Sequence, residues 1–261
     1  MIGALPASDV WLPSWTRTLN ESEAFTLLDL ALPGTSVAEW AARGHDRLPQ
    51  ASLPRRRELV RIVREELLDV ADGTVIESAF GTLFREGSAH RRRGLLYGRL
   101  LAQRPLVEPA IRALVRPALL RGEAPLSPPD SDRIEPAEWD QWLRSVLKPD
   151  IGDEAFKKTR STLQSALADA GCLDVRGNTS RTTRARRGEP DPLAFAWTLG
   201  AELARRGGEG DEGWATRESF AALLFAPRAE YAASAIDEGV AHGLLRRSYL
   251  AASPRLLVGA L

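Results

Sequence analysis

The amino-acid sequence predicts a mainly α-helical protein, in which an N-terminal helical bundle is followed by modules of helices and short β-hairpins. Three observations lead to this fold class. Apolar residues recur at helical spacing through residues 55–121. A proline-rich linker, which is too interrupted to hold a helix, follows at 122–136. Beyond it, two helical stretches each end near a glycine and lead into a short strand-like run, at 172–175 and 243–250.

Residues 1–54 form a segment rich in tryptophan and proline. Within it, Asn20 followed by acidic residues predicts a capped helix of about ten residues that ends before Pro33. Trp11, Trp15 and Trp40 have two interpretations. They fill the core of a small N-terminal unit, or they dock on a partner protein, because tryptophan is over-represented among the anchors of protein interfaces.

A helical bundle is predicted over residues 55–121. In its first helix, Leu59, Ile62 and Val63 fall on one apolar stripe, and Gly73 is expected to end that helix. Further helices are predicted over 74–86 and 94–103, and a last helix is predicted to run up to Gly122. The connections are short, which favours antiparallel packing of neighbouring helices.

The module predicted at 137–206 contains the clearest helix of the chain. Phe156, Leu163 and Leu167 recur at helical spacing, and Gly171 stops the helix. A short strand-like run and a basic, turn-forming stretch come directly afterwards. Helix, glycine, strand and basic hairpin in this order predict a winged-helix-like module.

A second module of similar order is predicted at 207–261. Helices are expected over 219–225 and 228–241. A strand is expected to follow them, and a second strand that pairs back with it is expected from Pro254 onward. The glycine-rich run at 207–213 is expected to be a flexible loop, because its acids would repel a phosphate.

The sequence offers no pattern typical of a catalytic or metal site. His45, His90 and His242 are isolated from one another and from Cys172, so no ligand set at metal-binding spacing is present. No Gly-x-x-x-x-Gly-Lys run and no nucleophile elbow occur in the sequence, and no Gly-x-Gly-x-x-Gly follows a predicted strand. Cys172 is expected to be a buried structural thiol. We therefore expect no enzymatic activity, no cofactor and no metal.

A cytoplasmic location without membrane association is expected from two features of the sequence. A single cysteine cannot form an internal disulfide, and no leader-like start is recognisable. The longest apolar runs are also far shorter than the roughly 20 residues that cross a bilayer.

Positive charge is concentrated locally in a chain whose 35 basic and 35 acidic residues balance. An attraction to nucleic acid must therefore come from a cluster, and residues 155–190 carry such an excess. The candidate DNA contacts there are Lys157, Lys158, Arg160, Gln164, Arg176, Arg181, Arg184, Arg186 and Arg187. A second cluster, Arg91, Arg92 and Arg93, either extends the phosphate track or pairs with acids such as Glu86.

The run from Phe156 to Asp174, FKKTRSTLQSALADAGCLD, resembles a stretch of the small BrxA proteins of bacterial BREX anti-phage systems, or of a BREX relative such as BrxE. The order of the helical part, this helix, a basic segment and a final helix-plus-strand module is also similar. The resemblance implies a small, non-enzymatic, DNA-binding component that assists a larger defence assembly, without a metal or a cofactor.

The first hypothesis is therefore an accessory subunit that binds double-stranded DNA with weak sequence specificity and has other subunits of a defence complex as partners. A protein-interaction or scaffold subunit is the second hypothesis. The third is a winged-helix transcriptional regulator, in which Arg160 and Gln164, one helical turn apart, would read bases.

Overall fold

The structure is a computed structural model that describes residues 21–50, 52–175, 182–249 and 254–261. Helices dominate it, and the strands form short antiparallel pairs, which confirms the predicted mainly α fold class. No helix in these ranges is long and apolar enough to cross a membrane. The predictions for Trp11, Trp15, Arg176 and Arg181 lie outside the described residues.

The described chain divides into two compact units. The first unit comprises Leu101–Pro190 and Gly213–Ala233, and the second comprises 21–100, Asp191–Glu212 and Ser234–Leu261.

The helices are α1 (Glu21–Asp29), α2 (Val37–Arg47), α3 (Leu53–Glu66), α4 (Ala79–Glu86), α5 (Ala89–Leu101), α6 (Val107–Ala110), α7 (Arg116–Glu123), α8 (Pro136–Val146), α9 (Asp153–Asp169), α10 (Pro192–Arg205), α11 (Glu212–Arg217), α12 (Phe220–Phe225) and α13 (Ala229–Ala241). A π-helical turn, Ile111–Val115, joins α6 to α7. The strands are β1 (Val70–Ala71), β2 (Thr74–Val75), β3 (Arg133–Ile134), β4 (Leu173–Val175), β5 (Thr183–Ala185), β6 (Glu209–Asp211), β7 (Leu245–Ser248) and β8 (Arg255–Val258).

Trp40 lies in the core of the second unit. Its side chain is fully buried, and its indole Nε1–H donates to the backbone oxygen of Leu27 at 2.9 Å. Leu59 and Val63 of α3 are buried as well. The structure therefore supports the interpretation of Trp40 as a core residue. A fully buried indole has no exposed surface with which to bind a partner.

A β-hairpin replaces the first part of the helix predicted over 74–86. β1 and β2 pair antiparallel, with Val70 opposite Val75. Asp72 and Gly73 both have positive φ, at 49° and 73°, as the two central residues of a tight hairpin turn require. The helix prediction was wrong here because the Asp-Gly pair turns the chain back at once. α4 begins only at Ala79, after Ser78 caps it by accepting from the Gly81 amide at 3.1 Å.

Part of the first unit has the element order of a winged helix. In chain order it runs α7, β3, α8, α9, β4 and β5, and the strands are ordered β3-β5-β4 in the sheet. The strand before the two central helices thus pairs with β5, which lies in the middle of the sheet between β3 and β4. β3 lies in the stretch 122–136, for which no secondary structure was predicted.

Buried contacts of Trp139 and Cys172 hold this arrangement together. Trp139 of α8 is fully buried, and its Nε1–H donates to the Thr183 hydroxyl of β5 at 3.0 Å. The Cys172 thiol donates to the backbone oxygen of Leu224 at 2.8 Å. Burial raises the pKa of this thiol to about 12, so it stays protonated and unreactive at neutral pH, as expected of a structural cysteine.

The same element order recurs in the C-terminal part of the chain. α10, β6, the helices α11 to α13, β7 and β8 follow one another, and the sheet order β6-β8-β7 is the one found in the first module. The flexible loop predicted at 207–213 is wrong in part, because Glu209–Asp211 is β6 and pairs with β8. Gly207 and Gly208, both with φ of +93°, turn the chain out of α10 into this strand.

An arginine–glutamate cluster ties α11 and α12 to the π-helical turn and α7 within the first unit. Glu218 accepts from Arg116 and from Arg112, each at 2.8 Å, and Arg112 also donates to the Glu218 backbone oxygen at 2.7 Å. The hydrogen bonds from Arg116 and Arg112 lower the pKa of Glu218 to about 2. Glu218 stabilises the folded state as long as it is ionised there.

We predict that Glu218→Gln makes unfolding less dependent on pH at the acidic end. Because the folded pKa of about 2 lies below the unbonded value of 4.5, the contribution of Glu218 is complete above pH 4.5 and disappears as the pH falls towards 2. Urea unfolding at several pH values should show the variant less stable than the wild type at pH 7, with the gap closing below pH 4.5. A gap of constant size would contradict this account.

Glu65→Gln is the matched control for this substitution. The Glu65 carboxylate is similarly exposed and pairs on the surface of α3 with Arg61 at 2.6 Å and with Arg64 at 3.4 Å. An exposed helical pair of this kind is worth only about 0.3–0.5 kcal/mol. Little change in stability is therefore expected at any pH.

Candidate nucleic-acid interface

The side of α9 that faces away from the core carries the candidate interface. Phe156, Leu163 and Leu167 are buried on the inner side of α9, as their spacing predicts. The exposed residues at the middle of the helix are Lys157, Lys158, Ser161 and Ser165. α9 is the second of the two helices that follow β3, which is the position of the recognition helix in a DNA-binding winged helix or helix-turn-helix.

Two lysines give this face its positive charge. Among the described residues, no carboxylate forms an ion pair with Lys157 or Lys158, so both ammonium groups remain available to a phosphate. The exposed acids of α9 lie at its two ends, with Asp153 and Glu154 in the first turn and Asp169 in the last. Acids in a first turn stabilise the helix through its dipole. Because acids at both ends of α9 would repel phosphates, only the middle turns of the helix can approach DNA.

The structure places the expected base-reading pair away from this face. Arg160 is buried, and its guanidinium is paired with Asp140 of α8. Gln164 is half-buried, and its amide Nε2 is buried. Position 160 lies one turn from Phe156 and from Leu163, so the helical period puts it on the apolar side despite its charge. Arg160 is therefore not available to a groove of DNA, and Gln164 is available only in part.

The arginines around β5 differ in whether their guanidinium groups are available to bind a phosphate. Arg186 is exposed, and no ion pair engages it within the described chain. Arg184 is half-buried and pairs with Asp130 and, at 3.4 Å, with Asp132. Arg187 pairs with Glu123. Of these three arginines, Arg186 is the one that can extend the positive face of α9 without giving up an existing pair.

The second basic cluster is engaged in ion pairs inside the second unit. Arg91 pairs with Asp191 at 2.9 Å, and Arg93 forms two hydrogen bonds to Glu21 at 2.8 and 3.1 Å. Arg92 pairs with Asp29, and its guanidinium also stacks over the rings of Phe25 and Phe84, at 4.9 and 4.4 Å from their centres. These contacts support the interpretation that the cluster pairs with acids, although the partners are not Glu86.

α13 occupies in the C-terminal part the position that α9 has in the first module, but its exposed charges are of the opposite sign. Glu230, Asp237 and Glu238 are exposed on it, and no Lys or Arg lies within its bounds. Asp237 pairs with Arg247 of β7 at 2.7 Å. A phosphate backbone would be repelled by this helix, so the two modules are not equivalent as candidate interfaces.

A metal site is not found in the part of the chain that the structure describes, where no group of three or more His, Cys, Asp and Glu residues is arranged to hold an ion. His242 follows α13, and its Nδ1 lies 3.0 Å from the backbone oxygen of Glu238.

Two members of the candidate face were not singled out from the sequence. Ser161 and Ser165 follow Lys157 at intervals of four residues, and each is exposed. The signal that identifies them is positional, because they lie opposite the apolar stripe of Phe156, Leu163 and Leu167 on the same helix.

Comparisons with protein family models, with curated proteins and with solved structures found no match to the chain.

Proposed function

We propose that this protein binds double-stranded DNA through the winged helix of its first unit, with the middle of α9 in the major groove. The observation that carries the proposal is the pair of exposed lysines, Lys157 and Lys158, at the recognition-helix position. The major groove is about 12 Å wide and accepts an α-helix. Lys157, Lys158 and Arg186 contact phosphates, and Ser161 and Ser165 face the groove.

Weak sequence specificity follows from the same geometry. Discrimination between base pairs rests mainly on forked contacts from Arg, Asn or Gln to base edges. Arg160 and the Nε2 atom of Gln164 are buried, whereas lysine and serine side chains offer single, adaptable contacts. Phosphate contacts position a protein on DNA and carry no sequence information by themselves.

The biological setting belongs to the proposal through the resemblance of residues 156–174 to the BREX accessory family. In that setting the chain is a non-enzymatic subunit that brings DNA to a larger anti-phage assembly. The C-terminal part of the chain makes contacts other than with DNA, because the exposed charges of α13 are acidic and would repel phosphates.

The experiment that tests DNA binding is a titration of a labelled random duplex with the purified protein, followed by fluorescence anisotropy across a series of salt concentrations. Each phosphate contact contributes about −0.9 to the slope of log affinity against log salt. Three contacts therefore predict a slope of about −2.7. An absence of binding at low salt would overturn the proposal.

A further inference from the structure

The first unit contains a second candidate site on another part of its surface. A cavity of about 260 Å³ lies between the π-helical turn and α7 on one side and α11, α12 and the start of α13 on the other. Its apolar lining residues include Ile111, Leu119, Leu120, Ala222, Leu223 and Ala226. Leu120 is 58% exposed at this site, a large apolar side chain left open to solvent.

Three arginines line the same cavity: Arg116, Arg187 and Arg217. In the described chain, no carboxylate lines it. Two of them are held in place by neighbours. Arg116 donates to Glu218 at 2.8 Å, and Arg187 donates to the backbone oxygens of Ala226 and Pro227 at 3.0 and 3.1 Å besides pairing with Glu123. A guanidinium has five N–H donors. Arg187 uses four of them, two to Glu123 and two to the backbone oxygens, and keeps one, whereas Arg116 keeps more.

Arg217 differs from the other two. It is exposed at the end of α11, and no ion pair engages it among the residues that the structure describes. An anion at the cavity would therefore find one uncommitted guanidinium beside two oriented ones. Planar guanidinium groups bind carboxylates and phosphates with paired hydrogen bonds, which makes an anionic headgroup the complementary chemistry.

The backbone around the cavity is irregular in two places. The turn Ile111–Val115 is π-helical, a geometry that is rare and that often marks functional sites. Ala226, between α12 and α13, has a φ of +41°, a left-handed conformation that is costly for a residue other than glycine. Both irregularities adjoin the cavity, because Ile111 and Ala226 line it.

We propose that this cavity binds a small organic anion, with its carboxylate or phosphate head at Arg217, Arg187 and Arg116 and its short apolar body against Leu119, Leu120 and Leu223. Ligand pockets for drug-sized molecules commonly measure about 300–1,000 Å³. A cavity of 260 Å³ accordingly fits a small ligand. The proposal does not depend on DNA binding, because the residues involved lie outside the face of α9.

The test uses two fluorescent naphthalene dyes of similar apolar bulk, the anionic 1-anilinonaphthalene-8-sulfonate and the neutral N-phenyl-1-naphthylamine. We expect the full chain to bind the sulfonate, and Arg217→Ala to weaken that binding about tenfold, since a hydrogen bond to a charged group is worth about 1.5–3 kcal/mol. Affinity for the neutral dye should be unchanged. Leu120→Glu should weaken both dyes, because it places a charge at the apolar part of the site.

Octanoate should displace the sulfonate dye from the wild type, whereas octylamine should not. Arg57→Ala is the matched control, because Arg57 is an exposed arginine of α3 in the other unit, and no ion pair engages it in the described chain. Equal binding of the sulfonate by the wild type and Arg217→Ala would overturn the proposal. So would a wild type that does not bind the dye, or that releases it to octylamine as readily as to octanoate.

Discussion

The double variant Lys157→Glu, Lys158→Glu is expected to bind duplex DNA about 100-fold more weakly than the wild type at about 0.1 M salt, a loss of about 2.8 kcal/mol at 1.4 kcal/mol per tenfold change. Both ammonium groups are exposed at the middle of α9, and neither has an ion pair within the described residues. Their replacement removes two phosphate contacts and adds two repulsive charges. The slope of log affinity against log salt should fall in magnitude by about two, one for each lysine.

The matched control is Arg47→Glu, Arg57→Glu, which changes the net charge by the same amount. Arg47 and Arg57 are exposed on α2 and α3, and both lie in the second unit. Because neither arginine is among the proposed phosphate contacts, and salt at about 0.1 M weakens any effect of net charge alone, this variant should retain most of the affinity under the same conditions. Equal losses in the two variants would mean that net charge, and not the face of α9, determines binding.

The largest effect on stability is expected from Trp139→Ala. The indole of Trp139 is fully buried between α8 and the sheet, and replacing a buried tryptophan by alanine commonly costs about 3–5 kcal/mol. Chemical denaturation monitored by circular dichroism measures this loss. α8 packs on α9, so the variant should also bind DNA more weakly even where it remains folded.

Thr183→Val separates the hydrogen bond of Trp139 from its packing. The Thr183 hydroxyl accepts from the indole Nε1–H at 3.0 Å, and valine has nearly the same shape without the acceptor. A buried donor left without a partner costs about 1–3 kcal/mol, which is less than the loss expected from Trp139→Ala. If Trp139→Ala were no more destabilising than Thr183→Val, the indole would not be the main packing element at this junction.

The sequence predicts much of the fold, because apolar residues recur at helical spacing along each long amphipathic helix. α9 is the best example, since Phe156, Leu163 and Leu167 identify both its extent and its buried side. β3 and β6 were missed because strands of two or three residues have no periodic signal and depend on partners far along the chain. The hairpin at Asp72-Gly73 was readable from its turn residues, and it was overlooked because apolar residues on both sides also fit a helix.

The candidate site was predictable in part. Lys157 and Lys158 are exposed as expected, but Arg160 was assigned to the interface by its charge although its position on the helix places it on the buried side. The partners of Arg184 and Arg187 are 54 and 64 residues away in sequence, so only the tertiary structure shows that these arginines are paired. The cavity beside Arg217 likewise combines segments from both ends of the first unit.

The most direct test of the proposed function compares two single-cysteine positions, Ser161→Cys on α9 and Ser234→Cys on α13. Both serines are exposed, and the native Cys172 does not compete for a maleimide because burial raises its pKa to about 12. We expect duplex DNA to slow the labelling of Ser161→Cys by about tenfold or more, since the helix would lie in the groove, and to leave the labelling of Ser234→Cys unchanged. Equal protection of the two positions, or protection at Ser234→Cys alone, would contradict the assignment of DNA binding to α9.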